Sequence, residues 1–301
     1  VIVVDNASSD ASIPLIKRLA TEDSRVTLIE SNVNRNYTGG NNLGIRNAKG
    51  SLIAIINSDT EVAKNWLEGL VSAMSDPTVG ACQPKILRFY EKERIDNTGG
   101  LIDALGFTQG RGTGEPAEHY PTAEDVFFAG GTAFMVKKDV LDMVGLFDED
   151  FVLHWEDVDL AWRIRLKGYR IRYIPQSTIY HKISKTIAKC SNQTMIQFHI
   201  RKNRICGLIK NYSLLHLLLR IPMLILLYCM IACFEILKNK NIAAAMPTCK
   251  AIWWNIYSIQ KTIKKRSFVQ HHIRTVPDRE IEKFFERKLI FMKTLTTKVC
   301  A

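Results

Sequence analysis

The pattern of apolar and polar positions resolves first around Ser51-Leu-Ile-Ala-Ile-Ile-Asn-Ser-Asp-Thr-Glu-Val62. Its apolar run from Leu52 to Ile56 breaks into Asn57, Ser58 and Asp59, which predicts a strand buried on both faces and ending in a polar turn. Taken alone, that segment favours an ordinary turn, with Asp59 or Thr60 capping the helix that carries Trp66, Leu67 and Leu70. Val1–Val4 reads as another buried strand, with Asp5 at its carboxyl end. Ile13, Leu15, Ile16 and Leu19 follow at helical spacing, then a strand at Val26–Glu30. Asn34-Arg-Asn-Tyr-Thr-Gly-Gly-Asn-Asn-Leu-Gly44 reads as a loop opening a helix, where Gly39 and Gly40 would let backbone N–H groups approach a diphosphate. This alternation predicts an α/β fold, a parallel sheet wound with helices on both sides. Ligands of such sheets bind beyond the carboxyl ends of the strands, where Asp59 lies.

Residues 75–125 read as a loop-rich excursion, broken at Asp76-Pro77, Gly99-Gly100 and Gly110–Pro116. Phe127–Val136 returns to an apolar strand, followed by a helix at Lys138–Val144 with Gly145 as its stop. Next comes Phe151-Val-Leu-His-Trp-Glu-Asp-Val-Asp-Leu-Ala-Trp-Arg-Ile-Arg-Leu-Lys-Gly168. Here a helix is predicted from about Val158 to Lys167, with Gly168 as a left-handed stop. Glu156 and Asp157 at its start suit the helix dipole. Four ionisable groups, His154, Glu156, Asp157 and Asp159, crowd two tryptophans, which is costly unless a cation or a proton transfer uses them. Tyr169–Ile174 reads as a last strand ended by Pro175, with His181 a little beyond.

Charge changes the picture. The chain has 301 residues and a net charge of +11, unevenly spread. Residues 1–181 carry 19 Lys and Arg against 25 Asp and Glu, while residues 182–301 carry 22 against 5. The boundary is therefore placed after residue 182. Ile196–Ile209 mixes basic and apolar residues, and Leu214–Leu237 is almost wholly apolar, with an uninterrupted core at Ile221–Phe234. That core is shorter than the roughly 20 residues of a spanning helix, so the segment is expected to lie in or dip into one leaflet, with a tilted span that includes Leu214–Leu219 as the runner-up and a buried core helix third. Lys238, Lys240, Lys250, Lys261, Lys264, Lys265 and Arg266, with Trp253 and Trp254, suit an anionic membrane surface. The hydrophobicity beside the charge argues for a membrane and against nucleic acid. The seven cysteines form no C-x-x-C pair and no zinc spacing, which points to a reduced, cytosolic setting.

Six pieces in order, VVDNASSD, NRNYTGGNNLGIRNAKG, INSDTEV, GGTAFMVKKDVLDMVGLFDEDF, HWEDVDLAWRIRLKGYRI and IYHK, resemble the family 2 glycosyltransferases, most closely a rhamnosyltransferase-like branch. The resemblance covers residues 1–182. It implies the GT-A fold, Rossmann-like with a mostly parallel sheet, and transfer of a sugar with inversion from a nucleotide-diphosphate donor. Carried over by position, Asp5 would face the base, and Gly39, Gly40 and Asn41 would line the diphosphate side. Asn57 and Asp59 would stand in the D-x-D-like motif, Asp59 and His181 holding Mg²⁺ or Mn²⁺. Gly130 and Gly131 would border the donor sugar. Asp157 would be the catalytic base and Glu156 would orient the acceptor.

The resemblance also implies a first strand and helix ahead of Val1, so this chain is expected to be poorly active or unstable by itself. The expectation is a membrane-associated enzyme at the cytoplasmic face. Residues 1–182 would form the catalytic domain and residues 183–301 a helical membrane-associating region. Its partners would be a nucleotide-sugar donor, dTDP-rhamnose among them, and a saccharide or lipid-linked saccharide acceptor. Two alternatives stand beside it. One is a non-catalytic, membrane-docked partner with the same fold; the other is a metal-dependent nucleotidyltransferase, which calls for a glycine-rich loop with Arg and Lys that this chain does not show.

Overall fold

A computed structural model describes residues 1–182, 193–238 and 240–290. The chain opens with β1 (Ile2–Asn6), α1 (Ser12–Glu22), β2 (Thr27–Ser31) and α2 (Asn36–Asn47). There follow β3 (Leu52–Ile56), β4 (Thr60–Val62), α3 (Trp66–Ala73) and β5 (Val79–Arg88). Three short strands come next, β6 (Ile95–Asn97), β7 (Gly100–Asp103) and β8 (Thr108–Gly110), then β9 (Glu124–Asp125). β10 (Ala133–Lys137), α4 (Lys138–Val144), α5 (Glu156–Leu166) and β11 (Arg170–His181) complete the α/β part. The helical part is α6 (Gln193–Asn211), α7 (Leu214–Leu237), α8 (Ile242–Tyr257), α9 (Ile259–Phe268) and α10 (Asp278–Glu282), before β12 (Phe285–Glu286).

The main sheet runs β3-β10-β5-β11-β4, with β6 beside β5 and β9 beside β11. It is mixed where a mostly parallel sheet was expected. β5 and β11 are parallel, but β10 lies antiparallel between β3 and β5, and β4 is antiparallel to β11. β1 and β2 form a separate parallel pair. The loop-rich reading of residues 75–125 is corrected most by β5, which is the sheet's centre. Its sequence carries Gln83, Pro84 and Lys85, which break the apolar pattern. Gln83 is buried for a hydrogen-bonding task described below, and Pro84 falls in the gap between the stretches that pair with β10 and with β6. β11 runs through Pro175 by a register shift between Ile174 and Thr178, so its end carries His181 between β5 and β4. On the other hand, Phe127–Thr132 is a loop, and only Ala133–Lys137 is a strand.

α5 is buried on every side, which its charged sequence hides. Asp159 is fully buried, ion-paired to Arg163 (3.0 Å) and Lys210 (2.9 Å), and accepts a hydrogen bond from Asn211 (3.0 Å). Arg163 also donates to the carbonyls of Val144, Gly145 and Leu146. Of the four crowded ionisable groups, Asp159 is thus structural. A buried carboxylate is tolerated only when paired and hydrogen-bonded in this way.

The helical part is built onto the α/β part. Trp162 of α5 packs edge-on against Phe127 (5.4 Å), Tyr212 (5.0 Å) and Phe285 (5.6 Å). Deleting a buried ring of this kind costs about 3–5 kcal/mol, so this nest makes the C-terminal helices part of one fold. β12 pairs with β7. Lys261 pairs with Asp150 (2.6 Å), Lys265 with Asp148 and Asp150, and Arg266 donates to the carbonyls of Ile209 and Tyr212. Of these three basic residues, expected at a membrane surface, Lys261 and Lys265 pair with acids of the first part and Arg266 is spent on carbonyls of the helical part. Lys202 also lies over the Trp254 ring (4.5 Å), whereas Trp253 is exposed.

Candidate active site

The turn that ends β3 and the end of β11 meet because β4 pairs Thr60 with His181. Asp59 Oδ2 then lies 3.3 Å from His181 Nε2, and the Lys182 N–H donates to the Asp59 carbonyl (2.9 Å). The Asn57–Thr60 turn therefore leads into a strand and does not cap α3. Asn57 contributes its backbone, which donates to Thr132 O and accepts from Thr60 Oγ1. On the far side of the imidazole, His181 Nδ1 meets Asp96 Oδ2 at 2.9 Å. Burial alone would lower the His181 pKa, but the Asp96 hydrogen bond and the two carboxylate charges outweigh it and raise it.

A carboxylate oxygen and an imidazole nitrogen facing one another are suitable donors for a divalent cation, Mn²⁺ accepting the nitrogen more readily than Mg²⁺. A second carboxylate on the other ring nitrogen is the usual means of orienting a ligating histidine. The donor set fits. Among the described residues no group of three or more His, Cys, Asp or Glu is disposed to hold an ion by itself, so diphosphate oxygens would have to complete the shell.

The second centre sits at the start of α5. Asp157 Oδ2 accepts from the Gly131 N–H (3.0 Å) and Oδ1 from the Val158 N–H (2.8 Å). The loop that supplies Gly131 is itself held. Gly130 N–H donates to Gln83 Oε1 (2.6 Å), Gln83 Nε2 donates to Asn97 Oδ1 (2.8 Å), and the Tyr37 hydroxyl donates to Gly131 O (2.6 Å). Glu156 Oε2 is buried without a hydrogen-bond partner. Burial, then the neighbouring Asp157 charge, pushes the Glu156 carboxyl up to about 8. Burial likewise raises Asp157, to about 6, against the pull of its backbone donors.

Both folded-state pKa values lie above those of an unfolded chain, so between the two the native protein holds protons that the unfolded chain has released. Stability must then fall as pH rises from the ordinary carboxylate range to about 8, and level off above. Glu156→Gln removes its share of this loss. Its Tm relative to the parent should climb across that window and stay higher above it, as thermal unfolding at a series of pH values would record. A difference independent of pH would contradict the raised Glu156.

The expected diphosphate loop is corrected. Gly39, Gly40 and Asn41 lie inside α2, and the Gly39 N–H is taken by the Arg35 carbonyl (3.2 Å). Gly40 lies against the Asn6 side chain and Gly44 against Val4, where an added Cβ would stand 3.5 and 3.2 Å from them. These glycines let α2 lie close on β1. The Asn41 amide bonds back to Tyr37 O (2.8 Å) within the helix. Asp5 is buried at the end of β1 and accepts from the Ser8 N–H (3.1 Å), a contact that shapes the turn.

A cavity of about 620 Å³ opens beside Asp157, walled on one side by Asn97, Gln109 and Phe128 and on the other by Arg201, Arg204 and Tyr228 of α6 and α7. Asn97 follows Asp96 in β6, so one short strand contributes a residue to the histidine centre and the next residue to the wall of this cavity. Sequence reasoning missed Tyr37, Gln83, Asp96 and Asn97. Asp96 and Asn97 sit in a stretch without periodicity, and single polar residues there carry no signal of their own. The one available hint was Gln83, a polar residue within an otherwise apolar run.

Residues 1–145 match the description Glycosyl transferase family 2. Over that stretch the α/β part of this chain is similar to the family 2 glycosyltransferases. Among characterised relatives, the low-salt glycan biosynthesis hexosyltransferase Agl10 of Haloferax volcanii is 24% identical over 66% of this chain and 65% of its own length. The pre-mycofactocin glycosyltransferase of Mycobacterium tuberculosis is 32% identical over 46% of this chain and 28% of its own length. The match to a Sinorhizobium fredii protein spans 21% of that relative, so the chain corresponds to a part of these proteins. In structure the chain resembles GalNAc-T7, solved with UDP, GalNAc and Mn²⁺, at a TM-score of 0.58 and 17% identity over 90% of this chain and 51% of that one. The fold is GT-A.

Proposed function

We propose that the protein is an inverting, divalent-metal-dependent glycosyltransferase that moves a sugar from a nucleotide-diphosphate donor to a saccharide acceptor at a membrane surface. One observation carries the reading: Asn97, beside the Asp96 that orients His181, lines the same cavity as Asp157. β6 thereby ties the proposed leaving-group centre to the wall of the cavity of about 620 Å³ that Asp157 lines. Asp59 and His181 would hold the Mg²⁺ or Mn²⁺, and a bound cation would neutralise charge on the departing diphosphate.

The chain's own residues supply the rest. Asp157 takes the proton of the attacking acceptor hydroxyl, its raised pKa keeping it a competent base near neutral pH. The Gly131 N–H fixes the orientation of that carboxylate. Glu156, its carboxyl pushed up by burial, stands beside that base at the start of α5 and would help orient the acceptor. Direct displacement by one base inverts the anomeric centre. Proton NMR of the product, with dTDP-rhamnose tried first as donor, tests this: an inverted anomer is expected, and a retained one would exclude the direct displacement.

The membrane surface is the second half of the reading. α7 spans about 36 Å at 1.5 Å per residue, with a mean hydropathy of 2.3 and only 17% of its most apolar stretch buried. Leu224, Tyr228 and Ala232 face the protein along one stripe, while Leu215, Leu218, Leu219, Met223, Leu226 and Met230 are exposed. A helix packed lengthwise by one face and apolar on the other supports lying in one leaflet rather than crossing it. The leaflet proposed is the cytoplasmic one, where a nucleotide-sugar donor is at hand. The double variant Leu218→Glu, Leu226→Glu should lose several-fold in co-sedimentation with lipid vesicles. Equal sedimentation would remove the membrane from this account.

A further inference from the structure

The base of the proposed reaction sits directly after a strained turn. His154 and Trp155 both have left-handed backbones, with φ of 61° and 75°, although neither is glycine. Such conformations persist only where the surroundings enforce them. Trp155 is the residue before α5, no side chain caps the helix there, and Glu156 and Asp157 follow at once. The orientation of Asp157 therefore depends on what holds this turn.

What holds it comes from α6, in the part of the chain that sequence reasoning assigned to the membrane. Asn203 is fully buried, and its amide donates to the carbonyls of Leu153 (2.9 Å) and His154 (2.6 Å). Two carbonyl acceptors fix which end of the amide faces the turn. Its own Oδ1 is left buried without a hydrogen-bond partner, a cost that an apolar residue would avoid. The adjacent Lys202 donates to Asp150 O (2.6 Å), ahead of the turn. One turn further along α6, Gly207 makes room for the Trp155 ring, since an added Cβ would stand 2.1 Å from it. The Trp155 indole N–H is fixed on Gly106 O (3.2 Å).

We infer that Asn203 is a positioning residue for the transfer reaction: from α6 it clamps the left-handed turn at His154 and Trp155 and so presents Asp157 to the acceptor. This inference rests on the proposed function. It makes the C-terminal helices a component of the active site as well as of the membrane surface. The nucleotide and metal side, built on Asp59, His181 and Asp96, does not touch Asn203.

The test uses the whole chain with Asn203→Asp, which keeps the shape and removes both donors, and with Gly207→Ala, which displaces the Trp155 ring instead. Hydrogen exchange of both variants should rise at residues 153–158 and stay at the parental level in the main sheet. With a donor and acceptor that the parent turns over, kcat should fall about 10²-fold while nucleotide affinity stays within about twofold. Unchanged exchange at 153–158, or kcat per nucleotide-binding site equal to the parent's, would overturn the inference. So would a loss of exchange protection spread through the sheet together with nucleotide affinity, the mark of a merely structural residue. A parent that transfers no sugar would defeat the proposed function, and the exchange result would still decide the role of Asn203.

Discussion

Asp157→Asn should lower kcat by about 10²–10⁴-fold, the range that a positioned general base contributes, with little change in nucleotide affinity. Asparagine has the same shape, and its amide oxygen is able to accept the Gly131 N–H that now binds Asp157. What disappears is the ability to take a proton. Steady-state kinetics with a nucleotide-sugar donor, beside a calorimetric nucleotide affinity, separates the two effects. A variant that keeps near-parental kcat would show that the proton leaves by another route.

The second large effect belongs to the histidine centre. Asp59→Ala should abolish metal-dependent nucleotide binding, because Asp59 is one of the two proposed protein ligands and stands 3.3 Å from the other, His181. Asp96→Asn leaves both ligands in place yet should weaken metal affinity by about 10–100-fold, the usual cost of removing the group that orients a ligating histidine. Titrations of Mn²⁺ in the presence of nucleotide give both numbers. If Asp96→Asn matched the parent, Asp96 would be a partner of His181 only in the absence of metal.

How far these features could be read from the chain depends on what each one needs. Asp59 and Asp157 were legible as candidates because each adjoins an element with a clear apolar pattern, whereas His181, beyond a strand read as ended by Pro175, was placed with them only by the order of the motifs. The structure brings Asp59 to His181 and Gly131 to Asp157 accordingly. Gly39 and Gly40 illustrate the opposite case. A glycine pair in a polar stretch reads as a loop, but both residues lie within α2, where Gly40 serves close packing on β1 and Gly39 lies against Arg35. β5 was hidden for a related reason, since the polar side chain of Gln83 is buried at the sheet's centre to hold the Gly130 loop.

The charge pattern was legible in total but not in its use. Part of the basic excess of the second half answers Asp148, Asp150 and Asp159 of the first, through Lys210, Lys261 and Lys265. Such pairings join residues more than 50 positions apart, and no local pattern announces them. The same holds for Asn203, whose task exists only once α6 is laid against the turn at His154.

The central claim is a metal-dependent nucleotide site feeding a base at Asp157. Isothermal titration of the protein with UDP and with dTDP, each with and without Mn²⁺, tests it most directly. Binding of one nucleotide that requires Mn²⁺ is the predicted result, and the preferred base narrows the donor. Binding of neither, or binding indifferent to Mn²⁺, would contradict it.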